Sequence, residues 1–381
     1  METKAPKKVV IIGSAYPLRG GLSNFNERLA EEFLSEGWDV KIFTFSLQYP
    51  AFLFPGKTQY SSESYSGNVE IKVCISSINP FNWIKVGNEL RKLVPDLVII
   101  KFWIPFMAPC FGTISRIARL NRHTKTITII DNIIPHEKRP GDRILAKYFV
   151  GSIDGFVTMS RKVFDEVSLF DKFKPRVFSP HPIYDNFGNE LEKLSAIKVL
   201  NLDPGYKYIL FFGFIRDYKG LDILLNAMAE PSIRQLKIKL LVAGEFYTDS
   251  KPYFDIIEKQ GIENTVIMSN DFVPDSEVNK YFSACDLVVQ PYKSATQSGV
   301  TQIAYHFNKP MVITNVGGLG EFVPDGEVGY VVEPDSKSIA NAITTFYREN
   351  REDYFISNMK ILKEKYSWKY FLGNLKSLLY I

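Results

Sequence analysis

At 381 residues the chain is long enough for roughly two domains, and its 45% apolar and 23% charged residues support substantial cores, which excludes intrinsic disorder over most of its length. Three scattered cysteines (Cys74, Cys110, Cys285) exclude a disulfide scaffold and a zinc ribbon and fit a reducing compartment; four histidines with no H-x-x-x-H pair argue against a histidine-rich metal centre. The formal net charge is +4, but residues 1–190 carry 25 basic against 19 acidic side chains, and residues 91–147 alone carry 11 against 4.

The first apolar run, Val9 to Ile12 before Gly13, is too short for a signal-peptide core, so the chain is expected to be cytoplasmic. A Gly-containing loop and a helical pattern from about Leu22 to Ser35 follow. Further short β-rich runs come at Val40–Phe45, Leu97–Ile100, Thr126–Ile130 and Gly155–Thr158. The stretch from Phe102 to Leu120 is apolar, but Pro105, Pro109, Gly112, Arg116 and Arg119 exclude a membrane span. Spacing predicts a helix over Gly112–Lys125, with Arg116, Arg119, Arg122 and His123 on one side and Ile114, Ile117 and Ala118 on another.

The second half repeats the opening. Tyr208 to Phe212 runs into Gly213, a loop, and a helical pattern from about Gly220 to Ala229. Strand runs follow at Lys239–Ala243, Thr265–Met268, Leu287–Gln290 and Met311–Thr314, and helices from about Arg351 to the end. Continuous apolar strands separated by room for helices predict parallel sheets covered on both faces. The polar stretch Tyr184 to Tyr206, broken by Gly188, Pro204 and Gly205, reads as the boundary. The expected architecture is α/β: two Rossmann-like, doubly wound domains facing across a cleft. They are an N-terminal domain over 1–190, a C-terminal domain over 191–365, and a terminal helix over 366–381 packing back on the first.

Four loops carry the chemistry. Gly13 to Gly21, ending in Gly20-Gly21 before a helix, lets backbone N–H groups approach an anion, although a tight strand-to-helix turn needs the same residues. It is neither G-x-G-x-x-G nor a P-loop. Gly213 to Gly220 places Arg216 and Lys219 three residues apart past a strand end, where a fork and a point charge can close on a diphosphate; solvated surface charges are the alternative. Gln290 to Gly299 offers Thr296, Gln297, Ser298 and backbone donors at a helix start, which an ordinary helix cap would also use. Val316-Gly317-Gly318-Leu319-Gly320-Glu321 is a fourth turn of this kind, in which Glu321 is otherwise a first-turn acid.

Taken in order, the loops resemble glycosyltransferase family 4, the retaining GT-B enzymes of glycosyl transferases group 1. Gly213 to Gly220 is similar to the family's G-R-L-x-x-x-K-G loop, with Lys219 and Gly220 in place but Phe214 at the usual arginine position and the arginine at Arg216. Gly317 through Gly329 follows the family's G-G-x-x-E-x-V-x-D-G-x-x-G run, Ser179 to Asp185 sits where members enter the second domain, and Gly20-Gly21 match the N-terminal glycine loop. One departure is plain. The family's E-x(7)-E falls on Ala295 and Ile303, so Gln302 with Thr296, Gln297, Ser298 and Gly299 would replace carboxylates by uncharged donor contacts.

The resemblance implies transfer of a sugar from a nucleoside diphosphate sugar, a co-substrate rather than a cofactor, to a hydroxyl acceptor with retention, in the assembly of cell-surface polysaccharide, lipopolysaccharide or another glycan. No D-x-D occurs, so Arg216, Lys219 and helix N-termini would stabilise the leaving diphosphate without a metal. After the strand Thr126–Ile130, Asp131 and His136 are placed to meet sugar or acceptor hydroxyls; Gly317, Gly318 and Glu321 are further sugar contacts. His136 could equally be a loop histidine bonded to Glu137; His181 and His306 read as structural. The rivals are a GT-B epimerase acting on the nucleotide sugar alone and a nucleotide-sugar-binding protein without turnover.

The basic excess in 91–147 fits an anionic membrane surface and a lipid-linked acceptor; no nucleic-acid motif accompanies it. A peripheral place on the inner face of the plasma membrane follows, helped by the apolar stretches 49–55 and 102–107.

Overall fold

A computed structural model describes residues 6–50, 58–135, 139–295 and 298–380. Contacts divide the chain into two units, Met1–His181 with Ser367–Ile381, and Pro182–Tyr366.

The first unit holds seven strands: β1 (Lys8–Ile12), β2 (Asp39–Leu47), β3 (Glu70–Ser76), β4 (Leu97–Phe102), β5 (Lys125–Ile130), β6 (Gly155–Thr158) and β7 (Arg176–Phe178). They form one sheet in the order β3-β2-β1-β4-β5-β6-β7, with every pairing parallel. The chain builds outward from β1 through β2 and β3, then returns to place β4 on the other side of β1, which makes a topological switch point there. β4 is buried along all six residues, as a central strand covered on both faces must be. The edge strand β3 buries only Ile75 fully and carries ion-paired charges: Glu70 pairs with Lys41 at 2.7 Å, and Lys72 pairs with Glu89.

The helix Gly21–Ser35 buries Phe25, Leu29, Ala30 and Phe33 from one stripe. The terminal helix Trp368–Ser377 belongs to this unit: Trp368 and Phe371 meet the Phe25 ring at 5.1 and 5.7 Å, and Lys376 pairs with Glu36.

The second unit holds β8 (Lys207–Phe212), β9 (Ile238–Ala243), β10 (Val266–Ser269), β11 (Leu287–Gln290), β12 (Met311–Thr314) and β13 (Gly329–Val332). Their order is β10-β9-β8-β11-β12-β13, again parallel throughout, with the switch point between β8 and β11. Its core gathers Ile209, Phe211, Leu224, Leu240, Val289 and Val312 with Ile339, Ile343 and Phe346.

One sequence expectation changes. The helix expected over Gly112–Lys125 spans only Ala108–Ala118; a 3-10 turn Arg119–Asn121 follows, and Arg122 takes φ 58°. The Asn121 side chain accepts from the N–H groups of His123 and Thr124, an Asx turn that stops the helix so that β5 can begin at Lys125. The row of four aligned cations therefore does not form. The stretch Tyr184–Tyr206 belongs to the second unit. It contains the helix Lys193–Val199, which buries Ala196 and Ile197, and it is tied to the second unit by Leu191 N–H to Ser283 Oγ (2.9 Å) and by Lys193 to the fully buried Asp286.

Candidate functional site

The carboxyl edge of the second sheet is built by loops that pass very close to one another. Gly220 adopts φ 67°, and a Cβ there would lie 1.9 Å from the Pro291 carbonyl oxygen; at Gly317 (φ 55°) the oxygen of Ala295 would be 1.7 Å away. Glycine is required at both, because a side chain would displace backbone of the neighbouring loop. These two contacts fasten the loops after β8 and β12 to the loop after β11.

Within this edge, a 3-10 turn Asp217–Lys219 precedes the helix Leu221–Met228. The Lys219 ammonium donates to the Tyr292 hydroxyl at 2.6 Å and lies 4.1 Å from that ring's centroid. The Arg216 guanidinium stands 5.1 Å from the Tyr247 ring. Neither cation has a carboxylate partner among the described residues. The carboxylates of this stretch go elsewhere: Lys293 draws in both Asp217 (2.8 Å) and Asp222 (3.0 Å). Burial, reinforced by the Arg216 charge, lowers the pKa of Lys219 below the ordinary lysine value. The Tyr292 phenol is pushed up by its burial and meets Ser298 Oγ at 3.2 Å.

The helix Gly299–His306 follows Ser298. Thr301 donates to Gln290 Oε1 at 3.1 Å. Gln302 is 1% exposed, and neither its amide nitrogen nor its amide oxygen has a hydrogen-bond partner among the described residues. Ala295 and Ile303, at the family's glutamate positions, are both buried. Gly317 and Gly318 lead into a short 3-10 turn, Leu319–Phe322, whose Glu321 side chain is exposed. Thr296 and Gln297 lie outside the described residues, as does His136.

In the first unit, Gly20 and Gly21 open the helix Gly21–Ser35, whose first turns bury Ser23, Asn24 and Asn26. Asp131 directly follows β5, and its carboxylate accepts from the Lys101 ammonium at 2.8 Å. His181 is buried edge-on to Phe25, and His306 Nε2 lies 2.8 Å from the Gly188 carbonyl oxygen.

Sequence reading missed three groups at these edges. Tyr292 lies inside the loop Gln290 to Gly299, where the hydroxyl and amide donors at the helix start mark Thr296, Gln297 and Ser298 instead. Tyr247 packs on Phe214 at 4.3 Å between ring centroids, which explains why an aromatic fits at the family's arginine position. Lys101 sits within an apolar strand, and nothing local marks its partner.

The family described as glycosyl transferases group 1 matches residues 206–349, the greater part of the second unit. A D-inositol 3-phosphate glycosyltransferase of Segniliparus rotundus is 34% identical over 37% of the chain, a match that spans 32% of that enzyme's length. An uncharacterized glycosyltransferase of Methanocaldococcus jannaschii is 24% identical over 95% of both chains. Among solved structures, Anabaena HepE in complex with UDP superposes with a TM-score of 0.73 at 16% identity, over 98% of this chain and 100% of that one. The same protein has been solved with UDP-glucose. The fold is GT-B, and the matches together support the GT-B glycosyltransferase superfamily.

Proposed function

We propose that the protein moves a sugar from a nucleoside diphosphate sugar to a hydroxyl acceptor, with retention at the anomeric carbon, as a family 4 glycosyltransferase of glycan assembly. The observation that carries this reading is the pair Arg216 and Lys219: two half-buried cations at the carboxyl edge of a doubly wound sheet, with no carboxylate partner among the described residues. An unneutralised pair at that edge suits a diphosphate. The UDP and UDP-glucose complexes of HepE support a nucleotide sugar as donor.

In this reading the bond from the anomeric carbon to the diphosphate oxygen breaks, and the charge that develops on the leaving oxygen is met by Arg216 and Lys219. The acceptor hydroxyl oxygen attacks from the same face, and its proton passes to the departing diphosphate oxygen. No protein nucleophile is assigned. Gly20 and Gly21 present backbone donors, Ser298, Gly299 and Gln302 with Thr296 and Gln297 line the donor side without charge, and Asp131, Gly317, Gly318 and Glu321 meet sugar hydroxyls. His136 is proposed as a further group of the reaction centre. The reaction proceeds without a metal, so activity persists in excess EDTA; abolition by chelator with rescue by magnesium or manganese would contradict this.

Diphosphate release measured with and without an added acceptor tests the function. Acceptor-stimulated release supports transfer. Conversion of the nucleotide sugar without release would favour the epimerase, and binding without turnover the non-catalytic alternative; the relatives' names favour neither. The acceptor is proposed to be a glycan or lipid-linked glycan reached from an anionic membrane, with the protein peripheral on its cytoplasmic face. No helix among the described residues is long and apolar enough to cross a membrane.

A further inference from the structure

We infer that Lys101 is a positioning residue that orients the Asp131 carboxylate toward a hydroxyl of the transferred sugar, an inference that rests on the glycosyl-transfer reading. Lys101 is the fifth residue of β4, buried on both faces, where an apolar side chain would ordinarily stand. Its side chain is 2% exposed, and its ammonium has neighbours on several sides. It donates to Asp131 Oδ1 at 2.8 Å, lies 3.5 Å from the Phe25 ring centroid, and reaches Met159 Sδ at 4.0 Å. The strand register sets Phe102 beside Ile130, so Asp131 emerges one residue further, and its N–H donates to the Phe102 carbonyl at 2.9 Å. Backbone and ammonium together hold the carboxylate.

The two partners differ in reach. The Lys101 side chain is sealed, whereas the Asp131 side chain keeps 11% of its surface at the carboxyl edge of the sheet, where α/β folds take their ligands. A buried ion pair is a poor way to gain stability, since apolar residues of similar volume serve as well or better. What the pair supplies that two apolar residues cannot is a carboxylate with one orientation. Lys101 touches no substrate in this scheme and acts only through Asp131.

The test uses the full chain and release of nucleoside diphosphate into water from UDP-glucose and a panel of other common nucleotide sugars. Lys101→Met and Asp131→Asn are each expected to lower kcat by about a hundredfold, the scale of a misplaced catalytic contact. Binding of UDP, read by thermal shift, should be unchanged. The double variant K101M/D131L separates function from folding: it should melt at or above the wild-type temperature and remain as slow as the single variants. Lys101→Arg, which keeps a cation against Asp131, should recover at least about tenfold over Lys101→Met. A double variant within tenfold of wild type would make the pair merely structural and overturn the inference, while the glycosyl-transfer reading stood. A wild-type chain that releases diphosphate from no nucleotide sugar would instead overturn that reading, and this inference with it.

Discussion

Each sheet places a lysine near its carboxyl edge, and the two lysines have opposite surroundings. Lys101 in the first unit is sealed against Phe25 and neutralised by Asp131. Lys219 in the second lies against Tyr292, which offers an oxygen but no negative charge, and its other charged neighbour is the cation Arg216. The pKa of both lysines is lowered by burial; a carboxylate, Asp131, opposes this at Lys101, whereas at Lys219 only the Tyr218 phenol opposes it and Arg216 adds to it. A cation with its counter-charge built in is committed to the fold or to orienting that partner. A cation denied one is free to receive an anionic ligand.

The largest effect expected from this contrast is on stability. Replacing Asp131 by Leu strands the Lys101 ammonium in an apolar interior and should cost about 3–5 kcal/mol, read by denaturant unfolding of the first unit's transition. Lys219→Met should cost far less, because no charge partner is left behind. Equal losses at the two positions would erase the distinction between them.

Next in size is donor binding. Arg216→Ala and Lys219→Ala should each weaken binding of nucleoside diphosphate by about 1.5–3 kcal/mol in calorimetry, with melting little changed. The comparison sharpens with pH. The diphosphate is held by the ammonium form, and the pKa of that ammonium lies below the usual lysine value. Affinity should therefore be full near neutrality and decline as pH rises, starting below the ordinary lysine range. Lys219→Ala should abolish that decline. Unchanged affinity in both variants would remove the clamp.

How far these roles could be read in advance depended on distance along the chain. The Gly213–Gly220 loop carries its two cations within four residues, so strand, loop and charge were visible together. Lys101 and Asp131 are 30 residues apart and meet only because β4 and β5 pair in one register. Central strands such as β6 and β11 were legible from unbroken apolar runs. The edge strands β3 and β7 were not, because an edge needs no such run: β3 buries only one of its residues fully, and β7 has three half-buried residues. Spacing predicts a helix over Gly112–Lys125 because it does not register the turn at Asn121, where the helix has already ended at Ala118. Gln302 was proposed from the missing glutamates, whereas its burial without partners emerged only from packing.

The smallest expected effect concerns the basic excess of residues 91–147, and the structure decides which cations should carry it. Arg116 donates to the carbonyls of Gly112 and Tyr148, Arg119 pairs with Asp154, and His123 pairs with Asp96. Substituting them would disturb the fold of the first unit as well as its surface, so they are poor probes. On the helix Asp142–Val150, Arg143 and Lys147 are exposed without an ion pair among the described residues, beside Ile144, which is 75% exposed. A basic side chain near an anionic bilayer contributes about 1 kcal/mol, so Arg143→Gln and Lys147→Gln should each weaken sedimentation with anionic vesicles by about fivefold. Binding should also fall steeply as salt rises, because surface charges are screened within a Debye length. These changes should leave the affinity for nucleoside diphosphate untouched, since that site is proposed on the second sheet. Equal binding to neutral and anionic vesicles, or none to either, would end the membrane proposal and leave the basic excess as an ordinary solvated surface.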